Sequence, residues 1–297
     1  MALFSEKNPD LQLYWDSHSL KALLECPRKY QYQILQSWIP SGDSIHLQWG
    51  IAYHEAMAQA DLARAGGASF IDQMDAAVAT AMAYPEFTEA TTYKNRLTLV
   101  RSVIWNLDHF REAPLRTIIV KDKPAVELSF SFPTEIPTHT EEHFGLCGYM
   151  DGAAESDLGI TVIERKSTKN ALQQHFYDGF SPNLQISMYT LASRIIFPTP
   201  ARGVQIEACQ TGVNFSEFGR RIFVKTPAQV DEFFKEIIYW LGRADHYAQT
   251  HWWPKNEAAC TFCAFKPVCS KDPNVRDQFF NDPAKFKKRV WNPLEPR

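Results

Sequence analysis

The chain has 297 residues, 45% hydrophobic and 22% charged, with a formal net charge of −3. That balance is globular and lacks the broad basic excess of a protein that coats nucleic acid, although it leaves room for a focused basic groove. No apolar run approaches the roughly 20 residues that cross a bilayer. The start MALFSEKNPD has neither the basic end nor the apolar stretch of a signal peptide, so a cytoplasmic protein without membrane partners is expected.

The first third reads helical. Ser17 or Ser19 can cap a helix bearing Leu20, Leu23 and Leu24 at helical spacing. An Ala-rich helix begins near Trp49 and ends before Gly66-Gly67, a third covers roughly Ile71 to Met82, and a fourth roughly Tyr93 to Glu112, with Leu97, Val100, Val103, Ile104 and Leu107 on one face. Strands follow at Thr117 to Val120, Ala125 to Phe132, Phe144 to Ala154 and Ile160 to Glu164. They are rich in Val, Ile, Phe and Tyr, and a hairpin tip is expected at Asp157-Leu158-Gly159. Pro182 opens a helix to about Ile196, strands recur near Val204 to Thr211 and Glu217 to Val224, and a long helix covers Pro227 to Gln249. There is no internal repeat. The order predicts a single α/β domain over residues 1–297, with a helical subregion at 45–115 and a C-terminal cysteine cluster at 252–271. The basic clusters Arg28-Lys29, Arg220-Arg221 and Lys285, Lys287, Lys288, Arg289 read as solvated patches. The last also interleaves aromatics, a pattern suited equally to single-stranded DNA and to packing.

The chemistry centres on two carboxylates. Asp151 ends a strand in Gly148-Tyr-Met-Asp151, and Glu164 lies in the next, in Val162-Ile-Glu164-Arg-Lys166. Residues two apart in a strand share a face, so Glu164 and Lys166 point the same way, and an antiparallel pairing can bring Asp151 beside them. Hard oxygen ligands of this kind suit Mg²⁺ or Mn²⁺. In isolation a Glu-x-Lys is a surface ion pair; its apolar flanks argue instead for buried acids that need a partner. Of six cysteines, Cys260, Cys263 and Cys269 fall within ten residues, which asks for metal or redox chemistry, since cytosolic disulfides are rare. Cys147 and Cys209 read as small buried hydrophobes.

Gly148-x-x-Asp151, followed thirteen positions later by Glu164-x-Lys166, resembles the core of the PD-(D/E)XK nuclease superfamily. More narrowly it resembles the RecB-type branch, which includes CRISPR-adaptation and AddB-type nucleases. Gly50-x-x-x-His54 sits on a helix upstream, where that branch carries a histidine metal ligand, and Gln185-x-x-x-Tyr189 sits on the helix after the Glu-x-Lys strand. The resemblance implies a restriction-endonuclease-like mixed sheet flanked by helices. It implies His54, Asp151 and Glu164 as metal ligands, Lys166 as assistant to the attacking water, and Gln185 and Tyr189 as residues that position DNA. Glu127 is implied only as a secondary metal candidate.

Cys26 ahead of this core and Cys260-x-x-Cys263-x5-Cys269 behind it resemble the branch's iron–sulfur staple. The resemblance implies a [4Fe–4S] cluster joining the two ends, with a four-thiolate zinc site as the alternative. It covers Ser17 to Cys269, whereas residues 60–115 and the tail from Asp272 match nothing. A metal-dependent DNA exonuclease acting on single-stranded or unwound ends is expected, with helicase, recombination or CRISPR-adaptation proteins as possible partners. A catalytically silent DNA-binding scaffold and a restriction-type endonuclease are the rivals.

Overall fold

The computed structural model describes residues 2–42, 44–85, 87, 90–112, 115–156 and 159–295. The main elements are α1 (Ser17–Glu25), α2 (Ile45–Ala65), α3 (Phe70–Ala83), α4 (Arg96–His109), β1 (Val126–Pro137), β2 (His143–Ser156), β3 (Gly159–Thr168), α5 (Leu184–Ile196), β4 (Val204–Thr211), β5 (Ser216–Phe223) and α6 (Pro227–Thr250). Helices flank a mixed sheet, as expected. The expected hairpin tip at Asp157 and Leu158 lies outside the described residues.

Helix starts differ from expectation because side-chain caps decide them. Asp16, rather than Ser17 or Ser19, accepts from the Ser19 and His18 amides at the start of α1. A capping box of Asn95 and Thr98 starts α4 at Arg96. Asn183 accepts from the Gln185 and Ile186 amides, which leaves Pro182 just outside α5. The strand expected at Thr117 to Val120 is instead two two-residue strands, because its two halves take different partners: Arg116–Thr117 pairs with β2, and Ile119–Val120 pairs with Lys123–Pro124.

The chain divides into two compact units, each built from separated segments. The first contains Met1–Gly42, Ser129–Gly148 and Asp231–Arg297. Its core is aromatic: Trp15 stacks on Tyr30 at 5.0 Å between ring centroids, and Trp253 lies 5.0 Å from Tyr30. A second cluster gathers Tyr32, Phe265, Val268, Phe280 and Phe286. The C-terminal tail belongs to it. Phe286–Lys288 pairs antiparallel with Trp38–Pro40, Phe286 is buried, and Lys288 Nζ sits 3.8 Å over the Trp38 ring. Phe286 therefore packs and Lys288 lies over Trp38, in keeping with one of the tail's two expected roles, while Lys285 and Arg289 stay exposed.

The second unit contains Asp43–Leu128 and Tyr149–Val230. Residues 152–156 of β2 pair antiparallel with β3, β3 runs parallel to β4, and β4 runs antiparallel to β5. Parallel neighbours need a crossover, which α5 supplies. Helices α2, α3 and α4 close a core of Trp49, Tyr53, Met57, Leu99, Val103 and Leu107, spaced by Ala52, Ala56, Ala60, Ala77 and Ala81. The alanines let these helices approach closely. Leu99→Ala, at a fully buried position, should cost about 2–5 kcal/mol of stability. Urea denaturation checks this, and a cost below about 1 kcal/mol would show that the helices do not pack there.

Candidate active site and cysteine cluster

All seven non-cysteine residues singled out by sequence lie in the second unit. Asp151 sits in β2, Glu164 and Lys166 in β3, His54 in α2, and Gln185 and Tyr189 in α5; Glu127 is in β1. Asp151 and Glu164 are buried, at 6% and 3% exposure. Each Asp151 oxygen has its own partner. Oδ1 lies 3.1 Å from His54 Nδ1, and Oδ2 accepts from the Arg165 backbone amide at 2.6 Å. Glu164 Oε1 accepts from Lys166 Nζ and, at 3.0 Å, from Gln185 Nε2. Lys166 Nζ also donates to Gln185 Oε1 at 3.0 Å. Gln185 Nε2 reaches the Tyr189 hydroxyl at 2.9 Å, and that hydroxyl donates to the Tyr149 carbonyl. One turn of α5 thus places Gln185 and Tyr189 on a single face beside Glu164.

The second Glu164 oxygen, Oε2, is buried and has no hydrogen-bond partner. A buried carboxylate oxygen left bare is costly, and a cation satisfies it. Donor atoms of His54, Glu127 and Asp151 lie within 4.8 Å of one another, the one such group of three or more among the described residues. Glu127 takes a positive φ of 46°, a strained backbone for a residue other than glycine and of the kind that concentrates at functional sites. An imidazole and carboxylates form a donor set that fits Mg²⁺ or Mn²⁺. Sequence reasoning left Glu127 as a secondary candidate because an acid in a strand carries no spacing signal of its own.

Charge sets the protonation of these groups. Burial alone would raise the Asp151 carboxyl, but the charge and hydrogen bond of His54, with the Arg165 amide, hold it down at about 2. Glu164 is pushed up by burial and by the Asp151 charge. His54 would fall on burial, yet Asp151 and Glu164 raise it above its ordinary value. Lys166 likewise stays an ammonium, since Glu164 outweighs its burial.

Sequence reasoning missed a second set of charges on the other face of β3. The Arg165 side chain is buried and reaches Asp61 Oδ2 at 2.6 Å and Glu207 Oε1 at 3.2 Å. Asp61 lies seven residues after His54 on α2, and Glu207 stands in an otherwise apolar strand. Those two out-of-place acids were the available signal.

The four cysteines of the expected staple lie in the first unit. Cys26, at the end of α1, is buried. Its sulfur accepts from the Asn256 backbone amide at 3.3 Å, and the Cys260 thiol points at the Asn256 carbonyl at 3.7 Å. Asn256 Nδ2 also donates to the Glu25 carbonyl at 2.8 Å, and Arg28 Nε to the Trp253 carbonyl at 2.6 Å. The Cys269 thiol is raised by burial, partly offset by Arg28 and Arg276, and it feels both Cys263 and Cys26. Cys147 and Cys209 are fully buried, with thiols pushed up by burial.

Residues 17–270 match the PD-(D/E)XK nuclease superfamily, and the chain belongs to it. It is a deoxyribonuclease, an enzyme that hydrolyses phosphodiester bonds. Among solved structures, a provisionally named exonuclease from Eubacterium rectale superposes with a TM-score of 0.54 at 12% identity, over 95% of this chain and 99% of that one; at that identity the likeness speaks for the fold. SSO0001 covers 49% of this chain and 58% of its own at 12% identity and a TM-score of 0.28, too low to bear on the fold. No curated protein matches the chain. Among the described residues no helix is long and apolar enough to cross a membrane.

A metal held by His54 and Glu164 would compete with protons, because ligation needs a neutral imidazole and an ionised carboxylate while both groups are shifted upward. Mn²⁺ affinity should therefore weaken as pH falls from about 8 to about 6, with proton release on binding. Calorimetric titration in buffers of different ionisation enthalpy measures both, and an affinity flat across that range would place the cation elsewhere.

Proposed function

We propose that this nuclease is an exonuclease of the RecB-type branch, acting as one nuclease domain on single-stranded or unwound DNA ends. His54, Glu127, Asp151 and Glu164 would hold one or two divalent cations. The observation that carries the proposal is the bare Glu164 Oε2, buried beside an ammonium and near a His–Glu–Asp donor group. The provisional naming of the Eubacterium rectale protein as an exonuclease supports action on ends.

A bound Mg²⁺ or Mn²⁺ supplies Lewis-acid charge at the phosphoryl oxygen and lowers the pKa of water. The rest of the chemistry falls to the side chains. Lys166 is held protonated by Glu164, so it donates to the scissile phosphate or to the attacking water rather than taking a proton. Its charge meets the negative charge that builds on the phosphorus oxygens. Gln185, already bonded to both Lys166 and Glu164, fixes the direction of the ammonium. Tyr189, anchored on the Tyr149 carbonyl, fixes Gln185 in turn and lines the path of the strand. The resemblance to the RecB-type branch also points to helicase, recombination or CRISPR-adaptation partners in the cytoplasm.

The same proposal assigns Cys26, Cys260, Cys263 and Cys269 to a [4Fe–4S] cluster with a structural role. Asn256, bonded to the Cys26 and Cys260 sulfurs, supports a common site, and four thiolates fit such a cluster. Closing the long loop from Cys26 to Cys260 restricts the unfolded chain by roughly 4–5 kcal/mol in the chain-entropy model written for disulfides. Anaerobic protein should be brown, with iron and sulfide each near about four per chain. Cys26→Ser should lower stability and colour, and its activity should fall with the fold. A colourless protein with zinc in place of iron would make the site a zinc centre.

The decisive assay uses end-labelled DNA, single- and double-stranded, linear and circular, with Mg²⁺ or Mn²⁺. Linear substrates should be degraded from an end and circular ones spared. Glu164→Ala and Asp151→Ala should abolish cleavage while DNA binding persists. Lys166→Ala should lose about two to three orders of magnitude in kcat, the scale of about 2.7–4 kcal/mol of transition-state stabilisation, and still bind metal. Full activity in Lys166→Ala would reduce that residue to a structural ion pair. No cleavage by the wild type would favour a silent DNA-binding scaffold.

A further inference from the structure

We infer that Arg165, the residue between Glu164 and Lys166, is a positioning residue whose buried ionic clamp orients Asp151 for metal binding. The inference rests on the metal site proposed above.

Strand alternation sends the Arg165 side chain to the face opposite Glu164 and Lys166. There it is gripped at two points, by Asp61 at 2.6 Å and Glu207 at 3.2 Å. The other oxygens of these acids are taken as well: Arg64 Nη1 lies 2.9 Å from Asp61 Oδ1, and Arg220 Nη2 lies 2.7 Å from Glu207 Oε2. Every oxygen of the two acids is therefore engaged by a guanidinium. Its side chain is 3% exposed and that of Glu207 is 1% exposed.

Buried ion clusters of this kind add little to stability compared with apolar residues of similar volume. What they provide is direction, because a planar fork held by two carboxylates fixes its own backbone. The backbone amide fixed in this way is the one that donates to Asp151 Oδ2 at 2.6 Å. The amide bond fixes the rotation of the Asp151 carboxylate and leaves Oδ1 facing His54 at 3.1 Å. The clamp also ties together the elements that carry the donors. Asp61 is on α2 with His54, Arg165 is on β3 with Glu164, and Glu207 is on the neighbouring strand β4. A lysine at position 165 keeps the charge but lacks the rigid planar fork that meets the two acids from separate nitrogens.

The test uses the full chain and three measurements: Mn²⁺ affinity by electron paramagnetic resonance, the thermal midpoint, and hydrogen exchange of the Arg165 amide in metal-free protein. The variants are Arg165→Lys, the milder Glu207→Gln, and the triple variant Asp61→Leu/Arg165→Met/Glu207→Leu, which replaces the clamp with apolar packing. Arg165→Lys and Glu207→Gln should weaken Mn²⁺ binding by about tenfold or more, with faster exchange of the amide at position 165. The triple variant should regain the wild-type midpoint but neither the Mn²⁺ affinity nor the slow exchange. Wild-type Mn²⁺ affinity in Arg165→Lys or Glu207→Gln would overturn the inference, as would affinity that returns with the midpoint in the triple variant. If the triple variant fails to fold, Glu207→Gln decides on the same criterion. A wild type that holds no Mn²⁺ refutes the metal-dependent reading instead. Amide exchange then decides separately: protection lost at a wild-type midpoint supports the clamp, and protection kept rejects it.

Discussion

Two carboxylates buried within reach of one strand pair are the constraint on which the rest of the second unit depends. A buried charge is tolerated only when paired or coordinated, and two neighbouring acids raise the demand further. Asp151 meets it completely, with an imidazole on one oxygen and an amide on the other. Glu164 meets it by half, with Lys166 and Gln185 on Oε1 and nothing on Oε2. That asymmetry separates a carboxylate with both oxygens engaged by the protein from one with a bare buried oxygen. It also holds Asp151 low and Glu164 high, although both are buried in the same unit.

The fold serves this arrangement through chain topology. The crossover from β3 through α5 to β4 makes the two strands parallel and delivers Gln185 and Tyr189 to the carboxylate face. The Ala-rich helix α2 contributes His54 to the site and Asp61 to the buried clamp, seven residues apart and so on one face. Strain at Glu127 and a bare carboxylate oxygen are departures from local rules that an ordinary core would not retain, and they fall within one unit.

The first unit is held differently. Stacked aromatics dominate it, from Trp15, Tyr30 and Trp253 to the ring cluster under the C-terminal tail. The segment from Trp253 to Asn256 is bound to Glu25, Cys26 and Arg28 through backbone groups that are distant in sequence. Cys26 and Cys260 are thus neighbours of one asparagine in the fold, although 234 positions separate them along the chain.

Periodicity made the helices and most strands legible, since burial of one face imposes a period of 3.6 or 2 on the residues themselves. The exceptions were helix starts and the short strands around Ile118. They were decided by single side-chain caps and by a change of strand partner on either side of Ile118, which compete at the scale of one or two hydrogen bonds. Asp151, Glu164, Lys166, Gln185 and Tyr189 were legible as a pattern, because strand alternation and one helical turn are local relations. By itself, the sequence determined the α/β class, the superfamily resemblance and the identity of these candidate residues. Only the tertiary structure decided that Glu127 joins His54 and Asp151, that one oxygen of Glu164 stays bare, and that Arg165 is clamped by acids 104 and 42 residues away. Those are relations between distant segments brought together by packing, and no local spacing rule encodes them.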